Sequence, residues 1–408
     1  MAGTRVVITG VGVTSPIGNS LDEVSKGLRE DRSGVRVVPS FGEVEGMRTR
    51  LGAPVDVDLS ALPKKRIRTM GRVAQLATWA TQRAIDDAGL DQDLISSGRV
   101  GLAYGSTGGT SAAVEDFVRK LYVQKQLGAI QSATYLKFMS HTCAANLAQY
   151  FAIRGRVLTT CSACVSGSQA IGFAYENVKY GFQEVMIAGG AEEMDVVHAA
   201  IFDLMFATSV KYNDRPSQSP RPFDADRDGL VVGEGAGTLV LESYERARAR
   251  GAHIYAEIVG FGTNCDGLHM TAPSEDGMTA VIERSLADAG LNREDIEYVN
   301  AHATATDLGD VCESKAVLRA LGDQVPVSST KGFTGHTLGG CGVIESVFCL
   351  AMLRDRFLAP TKNLEHRHPD VAPLALLSGD ARDAKPSVVM NNNFAFAGLN
   401  TSLIFRSV

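Results

Sequence analysis

Residues 157–179 read VLTTCSACVSGSQAIGFAYENVK. A short strand-like run leads into a stretch of small side chains. From about Ser166 the apolar residues recur at helical spacing, with Ala170, Phe173, Ala174 and Val178 on one face. A strand, a tight turn and a helix are expected, with Cys164 in the turn close to the helix N-terminus. The partial positive charge at a helix start favours a thiolate and lowers the thiol pKa, and small neighbours leave room for a substrate. Cys161 and Cys164 also form a Cys-x-x-Cys pair. A metal site needs two more ligands at suitable spacing, and none is near. A redox pair and two plain buried thiols both stay open.

The same alternation extends outward in both directions. Residues 5–9, 100–104, 184–188 and 238–242 are short strand-like runs. Helical patterns occupy 21–29 behind an Asn19/Ser20 cap, 73–88 ending near Gly89, and 244–250. This predicts an α/β fold with largely parallel, buried sheets. Residues 7–12 (VITGVG) resemble residues 257–262 (EIVGFG), and each begins a strand–turn unit followed by helix and strand patterns, the second including 278–289 and 296–299. An internal duplication follows, with halves 1–250 and 251–408 meeting at Arg250-Gly251. Gly/Pro/Ser clusters at 217–222 and 272–277 are expected loops.

Two glycine-rich stretches invite a nucleotide reading and do not sustain it. Gly10-Val11-Gly12 lacks the third glycine of a dinucleotide fingerprint, since Ser15 stands there, and is expected to be a strand-to-loop turn. Residues 233–237 precede a strand and lack the Lys-Ser/Thr of a phosphate loop, so close backbone packing is expected. The bulk numbers are those of an ordinary soluble globular protein. The 408 residues suffice for two domains or one large two-part fold with a deep core. A net charge of −6 gives no basic footprint for nucleic acid and disfavours anionic membranes. No apolar run is long enough for a signal peptide or a membrane span, so a cytoplasmic location is expected. The seven scattered cysteines are then thiols.

Three further segments bear on chemistry. Residues 300–310 (NAHATATDLGD) and 328–339 (SSTKGFTGHTLG) each place a histidine, His302 or His336, just past a predicted strand end, where α/β proteins build their sites. Residues 390–400 (MNNNFAFAGLN) set small residues around Phe394 and Phe396, a turn whose backbone N–H groups suit a ligand or else an aromatic core anchor.

With Cys164, these segments resemble the elongating β-ketoacyl-acyl-carrier-protein synthases over essentially the whole chain. Residues 211–214, 221–229 and 252–257 look most like the type I branch, and 65–72 and 393–396 resemble synthases of aryl-polyene pigment clusters. The resemblance implies a thiolase-like αβαβα sandwich of two duplicated halves, acting as a homodimer, with a heterodimer as the alternative. It implies no cofactor and no metal. Acyl carrier protein is the implied partner, presenting acyl and malonyl groups. Cys164 matches the acylated nucleophile. His302 and His336 match the pair that promotes decarboxylation of malonyl-ACP and stabilises the carbanion; the enolate oxygen needs fixed donors, and two imidazole N–H groups are such donors. Backbone N–H groups of Cys164 and Phe396 match the oxyanion hole, and Phe396 the gate. Lys331 matches a residue that orients the site electrostatically, with Glu313 the acid near it. Thr304 and Thr306 match the pair that holds the pantetheine arm, and Phe394 belongs to the substrate-binding set. Met139 aligns with a segment that reaches the partner's acyl pocket.

Departures concern acyl shape rather than reaction type. Ala303 follows His302 where Gly is usual, Asp307 replaces Pro, and Leu230 replaces Phe. Ala395 and Ala397 replace two glycines of the gate turn, and the second stiffens it. A coenzyme A-dependent thiolase uses a second Cys in place of one His, which the Lys331–His336 context opposes. A non-catalytic chain-length subunit generally lacks the nucleophile, which is present. Fatty acid synthesis is the default pathway, and a pigment or polyketide pathway the alternative.

Overall fold

The computed structural model describes residues 3–408. Ten strands carry the fold: β1 (Val6–Thr14), β2 (Val100–Gly105), β3 (Val157–Thr160), β4 (Val185–Glu192), β5 (Gly235–Ser243), β6 (Ala256–Cys265), β7 (Tyr298–Asn300), β8 (Pro326–Ser328), β9 (Val388–Phe394) and β10 (Leu399–Arg406). They lie in one continuous sheet, with the two-residue strand Ala375–Leu376 added outside β8. The first half runs β3-β2-β4-β5-β1 and the second β8-β7-β9-β10-β6. Numbered within each half, both orders are third, second, fourth, fifth, first. Both halves also pair their first three listed strands in parallel and the rest antiparallel. The duplication hinted at by two hexapeptides is therefore complete at the level of topology. The sheet is mixed, not largely parallel: β9 and β10 form a hairpin, and β5 returns antiparallel beside β4. The halves meet where β1 pairs antiparallel with β6 over three residue pairs.

Three layers of helices enclose the two halves of the sheet, giving five layers in all. Helices α1 (Arg72–Ala88) and α2 (Thr142–Phe151) cover the outside of the first half. Helices α5 (Glu275–Ala289) and α6 (Asp307–Leu321) cover the second. Between the halves lie α3 (Ser166–Lys179) and α7 (Cys341–Asp355), while α4 (Val196–Leu204) flanks a smaller cluster with Phe41 and Leu230. Strands buried on both faces need apolar residues throughout, and β1 is buried over all nine positions. The middle layer has no solvent face either, and α7 is buried from Cys341 to Leu353. Helix α1 stops where Gly89 turns left-handed at φ 62°.

Gly10 and Gly12 do not make the expected turn. They lie inside β1, and a Cβ on either would strike the backbone of α1 at Ala84 or Ala80. Their missing side chains let helix and strand approach closely. Residues 233–237 behave as expected: a Cβ at Gly235 would stand 2.7 Å from the Thr14 carbonyl oxygen. Helix α5 begins at Glu275, inside the expected 272–277 loop, because Ser274 caps it by accepting from Gly277 N–H. Among the described residues no helix is long and apolar enough to cross a membrane.

Candidate active site

The turn between β3 and α3 is tightly determined. Ala163 holds φ 48°, a left-handed conformation that costs a non-glycine residue roughly 1–2 kcal/mol. The Ser166 hydroxyl fixes it, accepting from Ser162 N–H at 2.9 Å and donating to the Ala163 carbonyl at 2.7 Å. Cys164 follows and is buried, whereas Cys161 is exposed with Sγ 3.3 Å from the Thr107 carbonyl. Both are free thiols.

The second half brings two imidazoles to this sulfur. His336 backbone is zipped to residues 231–233 by two hydrogen bonds of 2.7 and 2.8 Å, and its Nε2 lies 3.0 Å from Cys164 Sγ. His302 stands edge-on to it, ring centroids 5.0 Å apart. Asn393 Nδ2 donates to Glu345 at 2.7 Å and faces His302 Nδ1 at 3.5 Å. A donor opposite Nδ1 assigns the His302 proton to Nε2. Glu313 accepts the His302 backbone N–H at 2.7 Å. Lys331 is buried and ion-paired with Glu345.

Burial sets the charge states. It holds both imidazoles well below their usual pKa, and the Lys331 charge adds to the effect, so each is neutral at physiological pH. Burial also pushes the Cys164 thiol up to about 12, with Lys331 the main influence pulling it down. Desolvation of the anion thus works against the lowering expected from the helix start and favours the thiol form. The donor atoms of Cys164, His302 and His336 lie within 4.8 Å of one another, as do those of His302, Cys341 and Glu345. Either set could in principle ligate a soft cation, but the buried Lys331 ammonium opposes added positive charge there.

The three groups open into one cavity of about 540 Å³. Leu230, Phe394 and Phe396 line it, and half-buried Thr304 and Thr306 stand on its wall with their hydroxyls 3.1 Å apart. Exposed Phe206, Met270 and Leu308 mark its mouth. Among the described residues neither Cys164 N–H nor Phe396 N–H bonds another protein group. A second hollow, beside Arg246 and Arg250, holds no comparable set; both arginines pair with Glu242.

Residues 3–247 match the family described as beta-ketoacyl synthase, N-terminal domain, and residues 255–365 match its C-terminal domain. The chain belongs to the β-ketoacyl synthase family. The 3-oxoacyl-[acyl-carrier-protein] synthase 1 of Haemophilus influenzae is 39% identical over 406 residues, covering 98% of each chain. A β-ketoacyl synthase crystal structure from Burkholderia phymatum superposes with a TM-score of 0.96 at 48% identity, covering 99% of this chain and 100% of that one. The ishigamide ketosynthase/chain length factor superposes at 0.93 with 32% identity and covers both chains fully. The five layers are thus the thiolase-like fold shared by ketosynthases.

Within this synthase most expected site residues converge on the cavity, Glu313 among them. Met139 does not line the cavity of its own chain; it follows a short turn at Thr134–Lys137 and is half-buried. Glu313 is close enough for its charge to act on Lys331, yet the direct partner of Lys331 is Glu345. Glu345 and Asn393 were not singled out from the sequence. Their signal was a lone acid within the apolar helix of residues 341–353 and an Asn-Asn-Asn run within a buried strand. Asn393 donates to Glu345 there, which offsets part of the cost of burying both. Ala397 occupies a left-handed conformation, φ 62°, which an alanine tolerates less readily than a glycine, and its N–H donates to the Met270 carbonyl at 2.7 Å.

Proposed function

We propose that Cys164 carries an acyl chain as a thioester and that the enzyme elongates it by decarboxylative condensation with malonyl-ACP. The 3.0 Å approach of His336 Nε2 to Cys164 Sγ, with His302 beside it in one cavity, carries this reading. In the first step the sulfur attacks the acyl thioester of a carrier protein. The new C–S bond forms, the carrier's thiol leaves with the proton Cys164 gives up, and His336 N–H steadies the developing negative sulfur. The carbonyl oxygen is held by the Cys164 and Phe396 N–H groups. In the second step malonyl-ACP loses CO2, and its enolate oxygen rests on the Nε2–H groups of His302 and His336. The carbanion attacks the Cys164 thioester, the C–S bond breaks, the sulfur leaves as a thiolate that takes a proton from water, and β-ketoacyl-ACP departs. Neutral imidazoles suit this work, because each must be an N–H donor without a full charge. Lys331 supplies positive potential to the sulfur, Thr304 and Thr306 grip the pantetheine arm, and Phe394, Phe396 and Leu230 shape the acyl space.

The functional unit is a cytoplasmic homodimer of chains divided at 1–250 and 251–408. Supporting it, β3 is a free sheet edge, and exposed Tyr122, Val123 and Leu127 lie on the same arm as Met139. On this reading Met139 reaches the partner's acyl pocket. Incubation with acyl-ACPs of graded length, followed by mass spectrometry, is expected to place the acyl group on Cys164, and Cys164→Ala to abolish condensation. Wild-type elongation by that variant would sink the proposal. Elongation only in the presence of a second, non-identical subunit would instead identify a polyketide-type heterodimer.

A further inference from the structure

Strand β4 ends in Glu192, whose carboxylate is fully buried. Its Oε2 accepts two backbone N–H groups: Thr107, just beyond β2, at 2.8 Å, and Gly339, three residues after His336, at 3.2 Å. Its Oε1 is buried without a hydrogen-bond partner among the described residues. Burial pushes the carboxyl up to about 7 against the pull of both N–H groups. Glu234, a second buried acid, has Arg72 for company; Glu192 makes no ion pair among the described residues.

Gly339 is wedged between main chains. A Cβ there would stand 2.7 Å from Thr107 N and 2.8 Å from Ser106 Cα. Its carbonyl oxygen in turn would lie 2.9 Å from a Cβ on Gly167 at the start of α3 and 2.7 Å from one on Gly190. The segment that carries His336 therefore crosses the ends of β2, β4 and α3, the last of which follows directly from the Cys164 turn. An acid buried without a cation is costly to keep in either protonation state, so its presence calls for a role that outer packing does not supply.

We propose that Glu192 is a positioning residue: by tying Gly339 to Thr107 it sets His336 against the sulfur of Cys164. It touches no substrate and acts through the loop. This rests on the condensation reading given above. Three substitutions separate geometry from charge. Glu192→Gln keeps an oxygen that can accept both N–H groups, Glu192→Asp keeps the charge but draws the oxygens back by a methylene, and Glu192→Ala removes both. Expected is a fall in kcat of about tenfold or more for Ala and Asp, with KM for malonyl-ACP within about twofold, and recovery of most of kcat by Gln. An Ala variant turning over at the wild-type kcat, or a Gln variant as slow as Asp, overturns the proposal. Should Ala fail to fold, Asp against Gln decides in the same way. Wild-type enzyme inactive with malonyl-ACP in this assay would sink the condensation reading instead.

Discussion

Gly339→Ala puts the crossing of the two halves to a direct test. Ordinary contact begins at 3.4 Å, and the added Cβ would be 2.7 Å from Thr107 N, so about 0.7 Å must be made up. Every near neighbour is main chain at the end of β2, so no rotamer change can absorb the overlap. The Gly339 segment must move, and His336 lies three residues away with its Nε2 at 3.0 Å from Cys164 Sγ. Overpacking of this kind costs about 1–3 kcal/mol, and a displacement approaching 1 Å at a reacting group costs on the order of 10²-fold in rate. Steady-state kinetics with acyl-ACP and malonyl-ACP should show the loss in kcat rather than KM, and calorimetry should show a Tm lower by a few degrees. Gly108→Ala is the control, because its Cβ meets nothing within 4 Å, and its Tm is expected to match the wild type. A Gly339→Ala enzyme with wild-type kcat and Tm would refute the reasoning, since the main chain would then have yielded freely.

Glu345→Gln leaves the Lys331 ammonium without its buried counter-charge and is expected to destabilise the fold by about 3–5 kcal/mol in chemical denaturation; a loss under about 1 kcal/mol would contradict the pairing. Ala397→Gly removes a left-handed alanine, worth about 1–2 kcal/mol, less about 0.4–1 kcal/mol for the freer unfolded chain, so denaturation should show a gain of up to about 1.6 kcal/mol; a clear loss would refute the strained turn. Stability should decline on both sides of neutrality. The two imidazoles are depressed in the fold, so their contribution is complete above about pH 6.5 and is lost as pH falls toward their folded values. Glu313 is raised from 4.5 to about 8 by burial, so its contribution is complete below 4.5 and is lost as pH rises through about 8. Glu313→Gln should flatten the alkaline limb of the denaturation midpoint, and an unchanged limb would show that Glu313 does not titrate there.

Local pattern made the Cys164 turn legible: helix α3 runs from Ser166 to Lys179 as its apolar spacing requires. The two histidines were visible because each follows a short apolar run with small residues behind it. Burial was not visible. The sign of the Cys164 shift depends on how much of the molecule surrounds the sulfur, and a helix start seen in sequence says nothing of that. Glu345 escaped for a related reason, since a lone acid in a helix is usually a surface residue, and only the middle-layer position of α7 makes it an interior one. Gly10 and Gly12 misled because a glycine needed for close helix approach looks the same in sequence as one needed for a bend.

The repeated strand order leaves a lasting asymmetry. Sulfur comes from the first repeat, and both imidazoles and the ammonium come from the second, so neither repeat holds a working set of groups. Residues that never react, such as Gly339 where it is wedged against Ser106 and Thr107, hold the two repeats in the register that joins these groups.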